Sequence, residues 1–378
     1  MANYTANNEE KYQIVCPYCF NEAAGGKPFS HKEVHFRAET YYANPGAIEQ
    51  ALGTSKIDIE MMSNAKERGK AMARYEAAER FLLREDPVYN KFWKDYDGTT
   101  EREGRMDGDV KPWNLPVISV GNGVQRLTTD EDGFVVAAMD DFGKPTYRRV
   151  CPYCHNPLPM GFGKHRVKNI SIIGITGAGK TVYISQLLKG MTDYAAKSGL
   201  GAFFTSDHES NFIQDNRVAK GVPLPIGTLP NRLSQPMFYD IVQTRGSKVK
   251  EDTIVLYDIA GENCRKAGDM VRFARFIEHS DGLILLIDPK QLNFVVNDNA
   301  DEDVDAPSLA LNTLHAVLEK AENKKCTIPI AVCVSKSDQC FDILPAMAQD
   351  HLQMAGQDET RMPSQEFDGR SYNQLSRE

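Results

Sequence analysis

The run Gly174-Ile175-Thr176-Gly177-Ala178-Gly179-Lys180-Thr181 has the residue types and spacing of a phosphate-binding loop, G-x-x-x-x-G-K-[ST]. Glycines at these places let the backbone wrap a polyphosphate with its amide hydrogens turned inward. A helix that follows the loop adds its positive end. Lys180 is placed to reach the outer phosphates, and the Thr181 hydroxyl to ligate Mg²⁺. A separate chemistry is carried by Cys16-Pro17-Tyr18-Cys19, which returns as Cys151-Pro152-Tyr153-Cys154. A C-x-x-C with proline after the first cysteine has the shape of a zinc knuckle, a tight turn that aims both thiolates at one tetrahedral ion. The repeat makes a Cys₄ ribbon of Cys16, Cys19, Cys151 and Cys154 the natural arrangement, and the insertion between the knuckles must leave and return near one point. A rival set keeps Cys16 and Cys19 and adds His31 and His35, spaced as in a Cys₂His₂ finger. It leaves the second knuckle without partners. Zn²⁺ is the expected ion in either case.

Further downstream, Asp258-Ile259-Ala260-Gly261 closes an apolar run. A carboxylate there can hold Mg²⁺ through a water, and the Gly261 amide can face a terminal phosphate. Ser335-Lys336-Ser337-Asp338 follows another apolar run. The Asp338 carboxylate can accept hydrogen bonds from a guanine edge, while the aliphatic stem of Lys336 lies along the base.

The elements that must position these residues are legible from pattern. The apolar run Ile170–Ile173 precedes the loop, and a helical pattern over Val182 to Ser198 follows it, with Val182, Ile184, Leu187, Leu188 and Met191 on one face. Met237–Gln243 and Thr253–Tyr257 read as strands joined by so short a turn that they must be antiparallel. Leu283–Ile287 and Ile328–Val334 read as buried parallel strands, reached through helices over 265–279 and 307–323. Residues 199–236 read as a long Gly- and Pro-rich connection. The expected fold is an α/β P-loop NTPase sheet with flanking helices, over 164–356. Ahead of it stands a zinc-ribbon-like β unit, 14–46 and 113–163, carrying a helical insertion over 47–112.

Within the insertion, Met61, Met62, Ala65, Met72, Tyr75, Ala78, Phe81 and Leu82 fall near helical spacing, and Pro87 is expected to end that helix. Tyr89, Phe92, Trp93 and Tyr96 read as a packing surface rather than a platform for bases. His31 and His35 fall in a stretch that alternates like an edge strand. Strands are expected at Val117–Val120, Gly133–Ala138 and Tyr147–Val150, and a hinge at Gly161–Lys164. Residues 357–378 are a polar tail without the apolar run of a final strand. The expectation is a chain that continues past Glu378, or a sheet completed by another chain.

The phosphate loop, D-x-x-G and S-K-S-D together resemble GTPases of the translation-factor-like (Ras-related, TRAFAC) class, over about residues 166–340, under half of the chain. A knuckle pair followed by such a domain is similar to bacterial zinc-ribbon GTPases of the double-GTPase type. The resemblance implies GTP/GDP and Mg²⁺ as ligands. It implies that Gly174, Thr176, Gly177, Ala178, Gly179, Lys180 and Thr181 hold phosphates, that Thr181 and Asp258 hold Mg²⁺, that Asp258 and Gly261 sense the terminal phosphate, and that Lys336 and Asp338 choose guanine. Such GTPases also place a mobile threonine on Mg²⁺, and Thr228 is the first candidate, with Thr205 second. Two positions depart from the pattern. Ser335 stands where Asn or Thr is usual, and Glu262 stands where many relatives carry a water-orienting Gln. A carboxylate beside a terminal phosphate repels it unless paired or protonated, so slow intrinsic hydrolysis is expected. Arg232 and Arg265 are the nearby candidates for a stimulating charge in cis, and a partner protein is the other source.

The chain has 378 residues, 41% of them hydrophobic, and a formal charge of −8. That acidity argues against a nucleic-acid partner. No apolar run approaches the roughly 18 residues that span a bilayer, and the polar start lacks a signal-peptide core. The expectation is a cytoplasmic protein whose 8 cysteines are not paired as disulfides. The leading function is a GTP-hydrolysing switch with a zinc-bound docking module. A non-hydrolysing nucleotide-bound scaffold and a P-loop ATPase are the alternatives.

Overall fold

A computed structural model describes residues 12–39, 46–82, 86–97, 115–119, 127–140, 143–205, 207–216, 235–245, 248–264, 275–289 and 328–336. The amino-terminal unit is built from short strands: β1 (Gln13–Ile14), β2 (Phe29–Ser30), β3 (His35–Arg37), β4 (Val117–Ile118), β5 (Leu127–Thr129), β6 (Val135–Met139), β7 (Pro145–Thr146) and β8 (Arg148–Val150). β1 pairs with β2, β3 lies between β4 and β8, and β5, β6 and β7 form a meander. The expected strand near His35 is present, but it is the middle strand of its sheet, not an edge. His31 opens a 3₁₀ turn instead, where the Ser30 hydroxyl and the Glu33 carboxylate form a capping box. Burial decides this arrangement: Val34 and Phe36 are fully buried, which an edge would not require. β4 and β8 bring the distant second half of the unit onto β3, so the insertion does leave and return near one point.

The insertion begins with α1 (Ala47–Leu52), α2 (Lys56–Glu60), α3 (Ala65–Leu82) and α4 (Pro87–Asp97). The single long helix expected from Met61 onward is broken. α2 ends at Glu60, and Met61 is 78% exposed rather than on a core face. Among the described side chains of α3, Tyr75 and Ala78 are buried. Pro87 opens α4 instead of ending a helix. Its missing amide hydrogen costs nothing in a first turn, and the Asp86 carboxylate caps that turn through the amides of Val88 and Tyr89, both at 3.1 Å. Tyr89, Trp93 and Tyr96 line the buried face of α4, as a packing surface should.

The carboxy-terminal sheet contains β9 (Arg166–Ile173), β10 (Leu200–Phe204), β11 (Met237–Arg245), β12 (Lys248–Asp258), β13 (Gly282–Ile287) and β14 (Ile330–Val334), in the order β10-β11-β12-β9-β13-β14. β12, β9, β13 and β14 are parallel, while β11 runs antiparallel to β12, as the short turn demanded. Ile172, Ile173, Val255, Leu256, Leu283, Leu285 and Leu286 are buried. α5 (Lys180–Lys197) lays Ile184, Leu188 and Ala195 into the core. The segment read as one long connection holds two further elements, β10 and α6 (Asp207–Asp215). The fully buried Glu209 ties α6 to the sheet by accepting the Phe238 amide at 2.7 Å.

β14 departs from expectation. It is parallel to β13, but Ile330, Val332 and Val334 are exposed, because the strand lies at the end of the described sheet. Residues 275–279 form a 3₁₀ turn. The expected helix over 307–323, the remainder of that over 265–279 and the polar tail lie outside the described residues. Gly161–Lys164 is not a hinge. Phe162 is buried edge-on against Phe238 at 5.5 Å, and the buried Arg149 guanidinium donates to the carbonyls of Pro159, Met160 and Phe162 at 2.8–3.1 Å. Burial brings that guanidinium down to about 9.

Candidate functional site

The phosphate loop leaves the carboxyl end of β9, the edge at which open parallel sheets bind ligands. Gly177 and Gly179 hold φ of 82° and 81°, the left-handed region that glycine enters without penalty. Gly179 is then the N-cap of α5, whose first residue is Lys180. Lys180 is buried, and its Nζ donates back across the loop to the Ile175 carbonyl at 3.1 Å. Thr181 Oγ1 donates to Asp258 Oδ2 at 3.0 Å. Asp258 ends β12, the strand next to β9, where it pairs in register with Ile172. Two oxygens that can ligate a hard divalent cation therefore stand side by side at the mouth of the loop.

Gly261 closes the arrangement from the other side. A Cβ there would stand 2.1 Å from the Thr176 amide nitrogen and 2.4 Å from the Ile175 carbonyl carbon. Only glycine lets the D-x-x-G backbone come this near to the loop. Gly174, Thr176, Gly177, Ala178, Gly179, Lys180, Thr181, Asp258 and Gly261 are thus brought together. Glu262 lies in the 3₁₀ turn Gly261–Cys264, with its side chain outside the described residues. Thr205 directly follows β10, the outer strand beyond β11. Thr228, Arg232, Arg265 and Asp338 lie outside the described residues.

On the side expected for the base, Ser335 continues from β14 and donates its amide to the Ile287 carbonyl at 2.8 Å. Lys336 has φ of 51°, and its Nζ donates to Asp288 Oδ2 at 2.9 Å. Asp288 is buried directly after β13 and is absent from the sequence-derived set. Its signal was available: it ends an apolar run just as Asp258 does.

The cysteines of both knuckles converge. The sulfurs of Cys16, Cys19, Cys151 and Cys154 all lie within 4.8 Å of one another, and all four residues are buried. Cys16 faces Cys154 and Cys19 faces Cys151, each at 3.7 Å between sulfurs. Tetrahedral Zn–S bonds of about 2.3 Å place sulfurs ~3.8 Å apart, so the spacing fits such an ion. The knuckles are alike in detail. The amides of Tyr18 and Tyr153 each donate to the preceding cysteine sulfur at 3.4 Å, and Phe20 and His155 each take a left-handed φ. The repeat is also longer than the shared tetrapeptide, since Asn21 and Asn156, two residues past each second cysteine, are both fully buried. Asn21 Oδ1 accepts the Cys16 amide at 3.1 Å, and Asn156 Oδ1 accepts from Trp93 Nε1 at 3.1 Å. Burial pushes the Cys16 and Cys154 thiols well up, while hydrogen bonds from Cys151 and its neighbours hold Cys19 down.

His31 and His35 stay outside this cluster. His31 Nδ1 accepts the Val135 amide at 3.0 Å, and its ring stacks on Phe134. His35 sits with its ring 5.6 Å from that of His155, and burial, then the charge of His155, brings it down to about 4. His155 has its own task. Its Nδ1 meets both Asp86 oxygens at 2.9 Å, while Arg37 donates to Asp86 at 2.7 Å, all within the core. The first knuckle also rests on the sheet. Tyr257, next to Asp258, donates its hydroxyl to the Pro17 carbonyl at 3.0 Å and stacks on Phe276 at 4.3 Å. Phe20 stacks on His279 at 4.3 Å.

The family model for Double-GTPase 2 matches residues 168–376. A curated relative, "Putative ESX-1 scaffolding and assembly protein SaeC" of Mycolicibacterium smegmatis, is 23% identical over 158 residues. That match covers 39% of this chain and 39% of the relative, so the chain spans well under half the length of the protein it matches. A solved structure, the G domain of the T. maritima FeoB iron transporter, aligns at 16% identity over 50% of this chain and 84% of that one. Its TM-score is 0.22.

Proposed function

The chain belongs to the Double-GTPase 2 family, and from that premise we propose that it is a guanine-nucleotide-binding switch that hydrolyses GTP slowly and docks a protein partner through its cysteine-bearing unit. The observation that carries the proposal is the meeting of Thr181, Asp258 and Gly261 at one loop. In this reading, amides from Gly174 to Thr181 and the Lys180 ammonium cradle the phosphates. Thr181 and Asp258 would hold Mg²⁺. When bound, that ion neutralises charge developing on the transferred phosphate. Gly261 presents its amide to the terminal phosphate, so the turn after it senses whether that phosphate is present. The aliphatic stem of Lys336 lies along the base, and Asp338 reads the guanine edge. Thr228 is the switch threonine and Thr205 the substitute.

The four thiolates of Cys16, Cys19, Cys151 and Cys154 hold Zn²⁺, which would supply a structural crosslink in the unit and no reaction step. Among the described residues no helix is long and apolar enough to cross a membrane. The proposal places the protein in the cytoplasm, where free thiols and guanine nucleotides coexist.

A non-hydrolysing scaffold is the second reading. It is favoured by Glu262 in place of the water-orienting residue, and by the printed name of the mycobacterial relative, a scaffolding and assembly protein. Single-turnover hydrolysis of GTP with Mg²⁺, on this chain and on Thr181→Ala, separates the two. The switch predicts slow phosphate release that the variant loses. Tight nucleotide binding with no release from either protein supports the scaffold.

A further inference from the structure

The buried carboxylate of Asp288 makes a specific contact with a residue of the base site. Lys336 is a non-glycine residue at φ of 51°, a conformation that side-chain-bearing residues adopt only when their surroundings hold them there. The preceding Ser335 is fastened to Ile287, whose carbonyl accepts from the Ser335 amide at 2.8 Å and from the Ser335 hydroxyl at 3.2 Å. The Lys336 ammonium is fastened one residue further along, to Asp288 Oδ2 at 2.9 Å. Ile287 and Asp288 are consecutive, so the end of β13 grips both residues that follow β14. Ile287 pairs in register with Val334, which makes the grip an extension of the sheet itself. The Asp288 side of the pair is buried to 6% exposure, whereas the lysine is 35% exposed, so the carboxylate is the fixed member and the lysine the held one. A buried carboxylate bonded to an ammonium is costly to leave alone and is therefore a strong restraint on the lysine's position.

We propose that Asp288 is the positioning residue of the base site: it pins the Lys336 ammonium so that the aliphatic stem of Lys336 forms a fixed wall for the guanine ring. This rests on the guanine-nucleotide reading above and adds to it a residue outside the G-K-T, D-x-x-G and S-K-S-D segments. The β13 end also lies against the phosphate loop, since a Cβ on Gly174 would stand 2.8 Å from the Leu286 carbonyl. Base wall and phosphate loop are thereby set at a fixed separation by one strand.

The role separates from general stability by comparing a ligand that has a base with one that does not. Affinities for Mg²⁺-GDP and for Mg²⁺-pyrophosphate are measured by calorimetry on the full chain, on Asp288→Asn, on Asp288→Ala, on Lys336→Met and on Asp288→Ala with Lys336→Met. Asp288→Ala should weaken GDP by about tenfold or more, the loss of one charge-assisted contact, and leave pyrophosphate unchanged. Asp288→Asn, which keeps an acceptor, should fall between. The double variant should bind GDP no worse than the worse single one. Unchanged GDP affinity in Asp288→Asn and Asp288→Ala, equal losses for GDP and pyrophosphate, or additive losses in the double variant would overturn the proposal. If Asp288→Ala does not fold, Asp288→Asn decides. An unaltered chain that binds pyrophosphate but no GDP would instead remove the guanine reading.

Discussion

Gly261 shows how much one missing carbon decides. Its backbone lies so near the Ile175–Thr176 peptide that a methyl group must displace the loop. Gly261→Ala is expected to cost at least the ~3 kcal/mol upper range of overpacking if the turn stays in place. If the turn retreats instead, stability is spared and the terminal phosphate loses its contact. Thermal melting together with GTP and GDP titration distinguishes these, and the expected outcome is loss of GTP preference over GDP. His35 supplies a pH dependence. Its folded value of about 4 lies below the ordinary 6.5, so the unfolded chain binds more protons between these values. Its contribution to stability is complete above pH 6.5 and is lost as pH falls toward 4. His35→Gln should flatten that part of the stability–pH curve, measured by denaturant unfolding, and an unchanged curve would count against the buried neutral histidine. At this scale the sequence was most legible where spacing is strict. G-K-T and C-P-Y-C each require particular residues at fixed offsets, and the structure assembled both. Asp86 and Asn156 were hidden because their side-chain partners Arg37, His155 and Trp93 are far away in the chain. Asp288 at the end of an apolar run, and Asn21 and Asn156 at the sixth position of the repeat, carried readable signals.

α4 joins the insertion to the cysteine unit. Asp86 caps the helix, pairs with Arg37 and meets His155, and Trp93 reaches Asn156 beside the second knuckle. Removing Asp86 leaves a buried guanidinium without its carboxylate. Asp86→Ala should therefore cost ~3–5 kcal/mol by chemical denaturation, and far more than Lys91→Ala, whose pair with Asp95 is exposed. Equal losses would mean that the buried triad is not what fastens α4. Sequence pattern found α4 but misplaced its start, because Pro87 was read as a stop. The same residue type serves either end of a helix, and only Asp86 immediately before it marks a beginning. α3 was over-read for the opposite reason. Apolar residues at helical spacing imply a buried stripe only if something lies against it, and among the described side chains of α3 burial is confined to Tyr75 and Ala78. β10 and α6 were missed because Gly- and Pro-rich flanks masked two short elements.

The cysteine-bearing unit meets the nucleotide-type sheet at several of the described residues. Pro17, between Cys16 and Cys19, accepts from Tyr257, and Tyr257 precedes Asp258. Phe20, just after Cys19, stacks on His279, which ends the turn before β13. Cys151→Ser with Cys154→Ser is expected to abolish bound zinc, measured by metal analysis. It should also raise hydrogen exchange at 275–279, whose backing the first knuckle supplies, while Mg²⁺-GDP affinity changes little. Undiminished metal content in that variant would contradict the four-cysteine site. At this scale the motifs were legible, C-P-Y-C in one unit and G-K-T in the other. The packing between the units was not, since it depends on Tyr257 and His279 meeting residues more than two hundred positions away.

The most direct test is competition between GTP and ATP for the purified chain at fixed Mg²⁺, repeated with Lys180→Ala. The account predicts saturable binding of GTP that excess ATP does not displace, and its loss in the variant. Equal displacement by ATP, or GTP binding that survives the loss of Lys180, would contradict it.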